Sequence, residues 1–167
     1  MKIILETERL FLTEFTAEDT AFIIELLNSE GWLKYIGDRN VRTEEAALNY
    51  LQNGAIKSYA ENGFGFWKVI LKGKLIPAGM CGFEKREQLK NVDIGFAFLP
   101  QYEGSGYAYE AAKPTYEYGF KIGFKTISAI TTSDNLKSIA LIEKLGMRFE
   151  KKFFMTGDPD ELMLFTS

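Results

Sequence analysis

The stretch from Asn91 to Ile122 limits the fold more than any other. The run "NVDIGFAFL" (Asn91–Leu99) reads as a strand, Pro100 closes it, Gly104-Ser105-Gly106 forms a small-residue turn, and a helical stretch runs from about Gly104 to Ile122. A β-branched strand, "KTISAITT", comes next. A strand that crosses through a helix to a further strand implies a mixed sheet covered by helices. The join is also an anion-binding arrangement. Amides at a helix N-terminus point outward, the helix dipole favours negative charge there, and glycine lets the backbone approach a ligand closely.

Two nucleotide-binding forms of this join fail on their letters. A Walker loop ends Gly-Lys-Ser/Thr, whereas here Gly106 is followed by Tyr107 and Ala108. A dinucleotide fingerprint needs Gly or Ala three positions after Gly106, where Tyr109 stands.

The rest of the chain supplies the sheet and its cover. "RLFLTEF" (Arg9–Phe15) alternates as a strand, and Thr16 with Asp19 forms the capping pair of a helix through "TAFIIELLN". Thr43, Glu44 and Glu45 open a second helix that runs to about Glu61 and stops at Asn62-Gly63. "FGFWKVIL" and "IPAGMCGFEK" form a hairpin through Lys72-Gly73-Lys74. "NLKSIALIEKL" is a short helix ended by Gly146, and "MRFEKKFFM" and "ELMLFTS" pair as a last hairpin. The expected fold is therefore α/β (α+β, mixed sheet), with about seven strands and four helices in the order β-α-α-β-β-β-α-β-α-β-β. Residues 1–167 form a single domain in this reading. Pro114 falls within the third helix and is expected to kink it or shift its start, because it lacks an N–H and clashes with the preceding turn.

Composition narrows the chemistry. Net charge is −3 with acids and bases mixed, which argues against a nucleic-acid partner. No apolar run approaches the roughly 18 residues of a membrane span. The apolar patch of "MKIILETERL" is too short for a signal peptide, so the expected location is cytoplasmic. Histidine is absent, which removes Ser-His-Asp and Cys-His catalysis and most zinc sites. One cysteine, Cys81, lies in an apolar strand, where it reads as packing rather than as a nucleophile. No metal is expected. Acid–base work falls to carboxylates, tyrosine, lysine, serine or water.

Four segments resemble the GNAT acyl-CoA N-acyltransferases, in particular the branch of ribosomal-protein N-terminal acetyltransferases. They are "TERLFLTEFTAED" (Thr7–Asp19), "VDIGFAFLPQYEGSGYAYEAA" (Val92–Ala112), "NLKSIALIEKLGMRFE" (Asn135–Glu150) and, more loosely, "WLKYIGD" (Trp32–Asp38). The family pattern Arg/Gln-x-x-Gly-x-Gly/Ala falls on Glu103-Gly104-Ser105-Gly106-Tyr107-Ala108. Glu103 stands where the family has Arg or Gln, so a side-chain contact there is replaced by a repulsive carboxylate. A second register, Gln101 to Gly106, also fits the letters.

The resemblance implies acetyl-CoA as co-substrate. Its diphosphate would sit on the amides from Gly104 to Ala108, and its pantetheine arm would bond the main chain of Phe96, Ala97, Phe98 and Leu99. Asn135 would contact the arm or simply cap its helix. The implied reaction is direct acetyl transfer to a primary amine through a tetrahedral intermediate, with no enzyme nucleophile. The acceptor would be a protein N-terminus or a small amine, and assembly as a homodimer is left open. Ser138 is the candidate partner of the departing thiolate, or else a serine bonding its own helix. Asp93 is the candidate general base, or else an acid facing solvent, since alternation sets Asp93, Gly95 and Ala97 against Val92, Ile94, Phe96 and Phe98. Glu84 is a weaker base candidate. Trp32, Tyr35 and Trp67 line an acceptor pocket or belong to the core, and the charged turn "EKREQLK" reads as solvated. The alternative function on the same fold is a non-catalytic acyl-CoA-binding or regulatory module.

Overall fold

Each strand expected from the sequence is present in the computed structural model, which describes residues 1–167. The strands are β1 (Ile3–Glu6), β2 (Leu10–Thr13), β3 (Phe66–Leu71), β4 (Ile76–Glu84), β5 (Asp93–Phe98), β6 (Ser128–Thr132), β7 (Arg148–Phe154) and β8 (Glu161–Thr166). They form one eight-stranded sheet in the order β1-β2-β3-β4-β5-β6-β8-β7. All pairs are antiparallel except β5 with β6. The helix between β5 and β6 makes that parallel step possible, because such a connection must cross over the sheet.

The helices are α1 (Thr20–Leu27), α2 (Glu30–Tyr35), α3 (Glu44–Leu51), α4 (Lys57–Asn62), α5 (Tyr107–Lys121) and α6 (Leu136–Lys144). The expected Thr16–Asp19 capping box is present ahead of α1. The Thr43 hydroxyl caps α3 by accepting the Ala46 N–H at 3.1 Å. Gly63, at φ +76°, ends α4 in the left-handed conformation expected of a glycine cap.

Four expectations are corrected. The sheet has eight strands rather than seven, because the short apolar patch Ile3–Glu6 pairs with β2. A fifth helical body appears at α2, too short at six residues to show a helical period. The helix expected over Thr43–Glu61 is split by a π-helical turn, Gln52–Ile56, where Gly54 leaves helical geometry. The helix through Pro114 is continuous from Tyr107 to Lys121. The turn around the proline buries Ala111, Ala112 and Thr115 against the sheet, packing that offsets the one hydrogen bond proline removes. Its start lies at Tyr107 rather than Gly104 for a different reason: Gly106, at φ +82°, cannot be a helical residue.

The sheet separates two cores. On one face Ala111 and Ala112 of α5 and Ile142 of α6 pack with Leu10, Trp67, Phe83, Ile94 and Phe98. On the other, Phe22, Ile23, Leu26 and Leu27 of α1, Trp32 of α2 and Leu51 of α3 pack with Met80 and Leu99. Trp67 belongs to the first core, edge-on to Phe83 and Tyr118. Removing either large ring would cost about 3–5 kcal/mol. Cys81 lies in the same core, and burial pushes its thiol up to about 12.

Candidate active site

The site grows from the parallel step in the sheet. β5 and β6 meet at one register only, Asp93 beside Ser128, where the Ser128 N–H donates to the Val92 carbonyl at 2.9 Å. Farther along, the strands diverge. Leu99 N–H donates to Ala78 C=O at 2.9 Å, so residues 93, 95, 97 and 99 turn their main-chain groups toward β4. Beyond the Asp93–Ser128 register, the N–H and C=O groups of Phe96 and Phe98 therefore face the gap. The gap opens into a cleft of ≈ 1340 Å³ that runs from the glycine turn, past the start of α6, to the far end of β4.

One end of the cleft is built from main chain. Gly104 and Gly106 both take positive φ, +77° and +82°. Whereas α3 and α6 start on side-chain caps, α5 starts on Gly106 with none. The first N–H groups of a helix have no partner within it, so those of α5 are free for an anion. A Cβ placed on Gly104 would meet nothing within 4 Å, which leaves the turn open to a ligand. These features fit the diphosphate of a coenzyme. Glu103 points its carboxylate to Lys137 Nζ at 3.5 Å, which offsets its charge next to the turn.

Most residues expected to hold the coenzyme share this lining: Phe96, Ala97, Phe98, Glu103, Gly104, Gly106, Tyr107, Ala108 and Asn135. Ala97 does so without the expected main-chain bonds to the arm, because its N–H and C=O are turned to β4. Leu99 and Ser105 are not on the lining. Leu99 is buried in the core beneath, and Ser105 turns its carbonyl away to accept from the Arg9 guanidinium at 3.0 Å. Asn135 caps α6 by accepting the Ser138 N–H at 3.3 Å. The Ser138 hydroxyl makes no hydrogen bond within the protein and lines the cleft beside Asn135.

The other end is built from buried charge. Asp93 is 2% exposed, so it does not face solvent. Arg86 Nε donates to Asp93 Oδ1 at 3.2 Å, while another guanidinium nitrogen lies 2.6 Å from Glu84 Oε2. The hairpin register sets Glu84 directly opposite Asp93. Burial pushes the Asp93 carboxyl up to about 7, with Arg86 pulling it down and Glu84 pushing it further up. A carboxyl poised near neutrality can take and release protons at working pH. Tyr50 lines the cleft with this group, and burial pushes its phenol up to about 12, so it stays a hydrogen-bond donor.

Arg86 lies in the turn expected to be merely solvated. Instead it turns inward, because two carboxylates on adjacent strands attract it. The β4–β5 register, which sets Glu84 opposite Asp93, is what brings Arg86 within reach of both carboxylates. Tyr50 left no signal, since its helix reaches the cleft only through packing. Of the three aromatic pocket candidates, Trp32 and Tyr35 line the cleft. The Phe66 ring packs against the β5 backbone, and a Cβ on Gly95 would lie 2.9 Å from it.

A glycine turn feeding an uncapped helix, beside a parallel pair that splays open in an otherwise antiparallel sheet, defines an acyl-coenzyme A transferase of the acetyltransferase class. The chain matches the acetyltransferase (GNAT) domain family over residues 9–148 and belongs to that family. It is 34% identical over 148 residues to the uncharacterized N-acetyltransferase YnaD of Bacillus subtilis, covering 88% of this chain and 84% of that protein. A GNAT-family acetyltransferase structure from Bacillus anthracis superposes with a TM-score of 0.80 at 30% identity, covering 100% of this chain and 98% of that one. RimL, a ribosomal-protein alpha-N-protein acetyltransferase in complex with coenzyme A, shares the fold at a TM-score of 0.84 and 16% identity, covering 99% and 97%. The protein is an acyl-CoA-dependent acetyltransferase. No helix is long and apolar enough to cross a membrane.

Proposed function

We propose that this protein acetylates a primary amine, with the coenzyme diphosphate held by the amides at the start of α5 and the amine deprotonated by Asp93. Acetyl-CoA supplies the activated thioester carbonyl. Everything else is done by this chain's own groups. The gap-facing main chain of Phe96 and Phe98 aligns the pantetheine arm as a further strand would be aligned. An N–H in the same row is suited to stabilise negative charge developing on the carbonyl oxygen. Asp93 accepts the proton of the ammonium, directly or through water, and makes the amine a nucleophile. The Ser138 hydroxyl, free of other partners, donates to the departing sulfur.

The observation that carries this reading is the placement of both ends on one strand. β5 begins at the buried, neutral-range carboxyl of Asp93 and leads at its other end into the open glycine turn. The acceptor is a protein N-terminus or a small amine. The likeness in fold to RimL, an alpha-N-protein acetyltransferase, supports the former as the first to be tried.

The test is release of free thiol from acetyl-CoA against a panel holding ribosomal-protein N-terminal peptides, polyamines and amino acids. Amine-dependent release that depends on Asp93 supports the proposal. Tight coenzyme binding with no release on any amine would favour a non-catalytic module.

A further inference from the structure

We infer that Arg9 is a positioning residue for the anion-binding turn: clamped by Glu110 and Thr7, it fixes the Ser105–Gly106 peptide so that the Gly106 N–H faces the cleft. The inference rests on the reading of that turn as the diphosphate site.

One guanidinium reaches every part of the turn-to-helix join. Arg9 Nε donates to Glu110 Oε2 at 2.6 Å, and the Arg9 main-chain N–H donates to Glu110 Oε1 at 2.9 Å. The Thr7 hydroxyl donates to the same Oε1 at 2.7 Å and accepts the Leu10 N–H at 3.0 Å. An η nitrogen of Arg9 donates to the Ser105 carbonyl at 3.0 Å. The guanidinium lies over the Tyr107 ring, 4.4 Å from its centroid. Its other η nitrogen would sit 3.5 Å from a Cβ on Gly106.

The consequence follows from peptide geometry. In a trans peptide the C=O and the following N–H point in opposite directions. Holding the Ser105 carbonyl toward Arg9 therefore turns the Gly106 N–H away from Arg9. That is the side on which Gly104, Gly106 and Tyr107 line the cleft while Ser105 does not. The clamp is itself tied to the sheet, because the Arg9 carbonyl accepts the Lys72 N–H at 2.9 Å. Burial pushes the Glu110 carboxyl up, but hydrogen bonds from Thr7 and Arg9 outweigh it and hold it below the usual carboxylate range. Glu110 also neutralises the Arg9 charge, so the contribution of Arg9 to anion binding is geometric rather than a bare field. An ion pair whose arginine is 43% exposed adds little to global stability. What the arrangement adds is order in a turn whose two glycines would otherwise sample many conformations.

The experiment uses full-length protein and titration calorimetry with two probes: coenzyme A, and pantetheine, which lacks the diphosphate. Arg9→Gln is expected to weaken coenzyme A about 5- to 20-fold, as loss of a charge-assisted hydrogen bond does, and to leave pantetheine within twofold. Arg9→Lys is expected not to rescue, since an ammonium cannot hold Glu110 and Ser105 at once in a planar fork. The ratio of the two affinities is the reading that a mere fastening role would leave alone. Should Arg9→Gln be poorly folded, Glu110→Gln, which keeps shape and drops charge, is expected to move the ratio the same way by about 2- to 5-fold. An unchanged ratio in the folded variants, or full rescue by lysine, overturns the inference. A wild-type protein that binds both probes equally overturns the diphosphate reading instead, before any variant is measured.

Discussion

The two ends of the cleft solve recognition in opposite ways. The end proposed for the coenzyme offers main-chain amides: a turn with two left-handed glycines and a helix start with no side-chain cap. The end proposed for the acceptor offers side chains: Asp93, Arg86 and Glu84 gathered from two strands and a turn. The first end tolerates side-chain change but not backbone change. The second does the reverse. A constant ligand suits the former, and chemistry that depends on a tuned proton suits the latter.

Substitution at the acceptor end breaks this contrast most sharply. Asp93→Asn keeps the shape of the buried carboxyl and removes its basicity. It is expected to lower kcat about 10²- to 10³-fold, with KM for acetyl-CoA within twofold, in a steady-state thiol-release assay.

The same residue fixes the pH behaviour. In the wild type, kcat/KM is expected to rise with pH through about 7, where the Asp93 carboxyl ionises, and Asp93→Asn to lack that limb. Stability moves the other way. The folded carboxyl keeps its proton up to about 7, whereas a free aspartate titrates near 3.8, so folding takes up a proton between those limits. This contribution therefore makes the wild type less stable as pH rises across that window and level above it. Melting curves of wild type and Asp93→Asn should diverge there, and parallel curves would discard the assignment.

At the coenzyme end, Gly106→Val forces a β-branched residue to φ +82°. Strain of about 1–3 kcal/mol in the turn corresponds to roughly a 5- to 150-fold rise in KM for acetyl-CoA, with KM for the amine unmoved. An unchanged KM would mean that the turn does not touch the coenzyme. Ser138→Ala is smaller still, about tenfold in kcat, because a thiolate with pKa near 8.5 leaves with only modest help. Glu103→Gln is the smallest. Removing a carboxylate already paired with Lys137 should lower KM for acetyl-CoA about two- to threefold, and less at high salt.

The contrast also explains what the sequence made legible. The glycine turn, the helix after it and the caps at Thr16, Thr43 and Asn135 are local chemistry, decided within a few residues. Strand β1 and helix α2 were missed because four and six residues carry no period, and only their neighbours hold them in place. Pro114 is held inside α5 because its cost is local while the burial of Ala111, Ala112 and Thr115 beside it is tertiary. Arg86 was read as solvated because nothing in "EKREQLK" says that a turn will fold back over a carboxylate.

By itself, the sequence determined a strand-to-glycine-to-helix join with bare amides, a catalyst without histidine, and a mixed sheet covered by helices. Only the tertiary structure decided that Asp93 is buried and titrates near neutrality, that Arg86 and Glu84 flank it, and that Arg9 holds the turn across 96 residues of sequence. The physical reason is range. Backbone conformation answers to adjacent residues, whereas the free energy of a charge depends on everything packed around it, from wherever in the chain it comes.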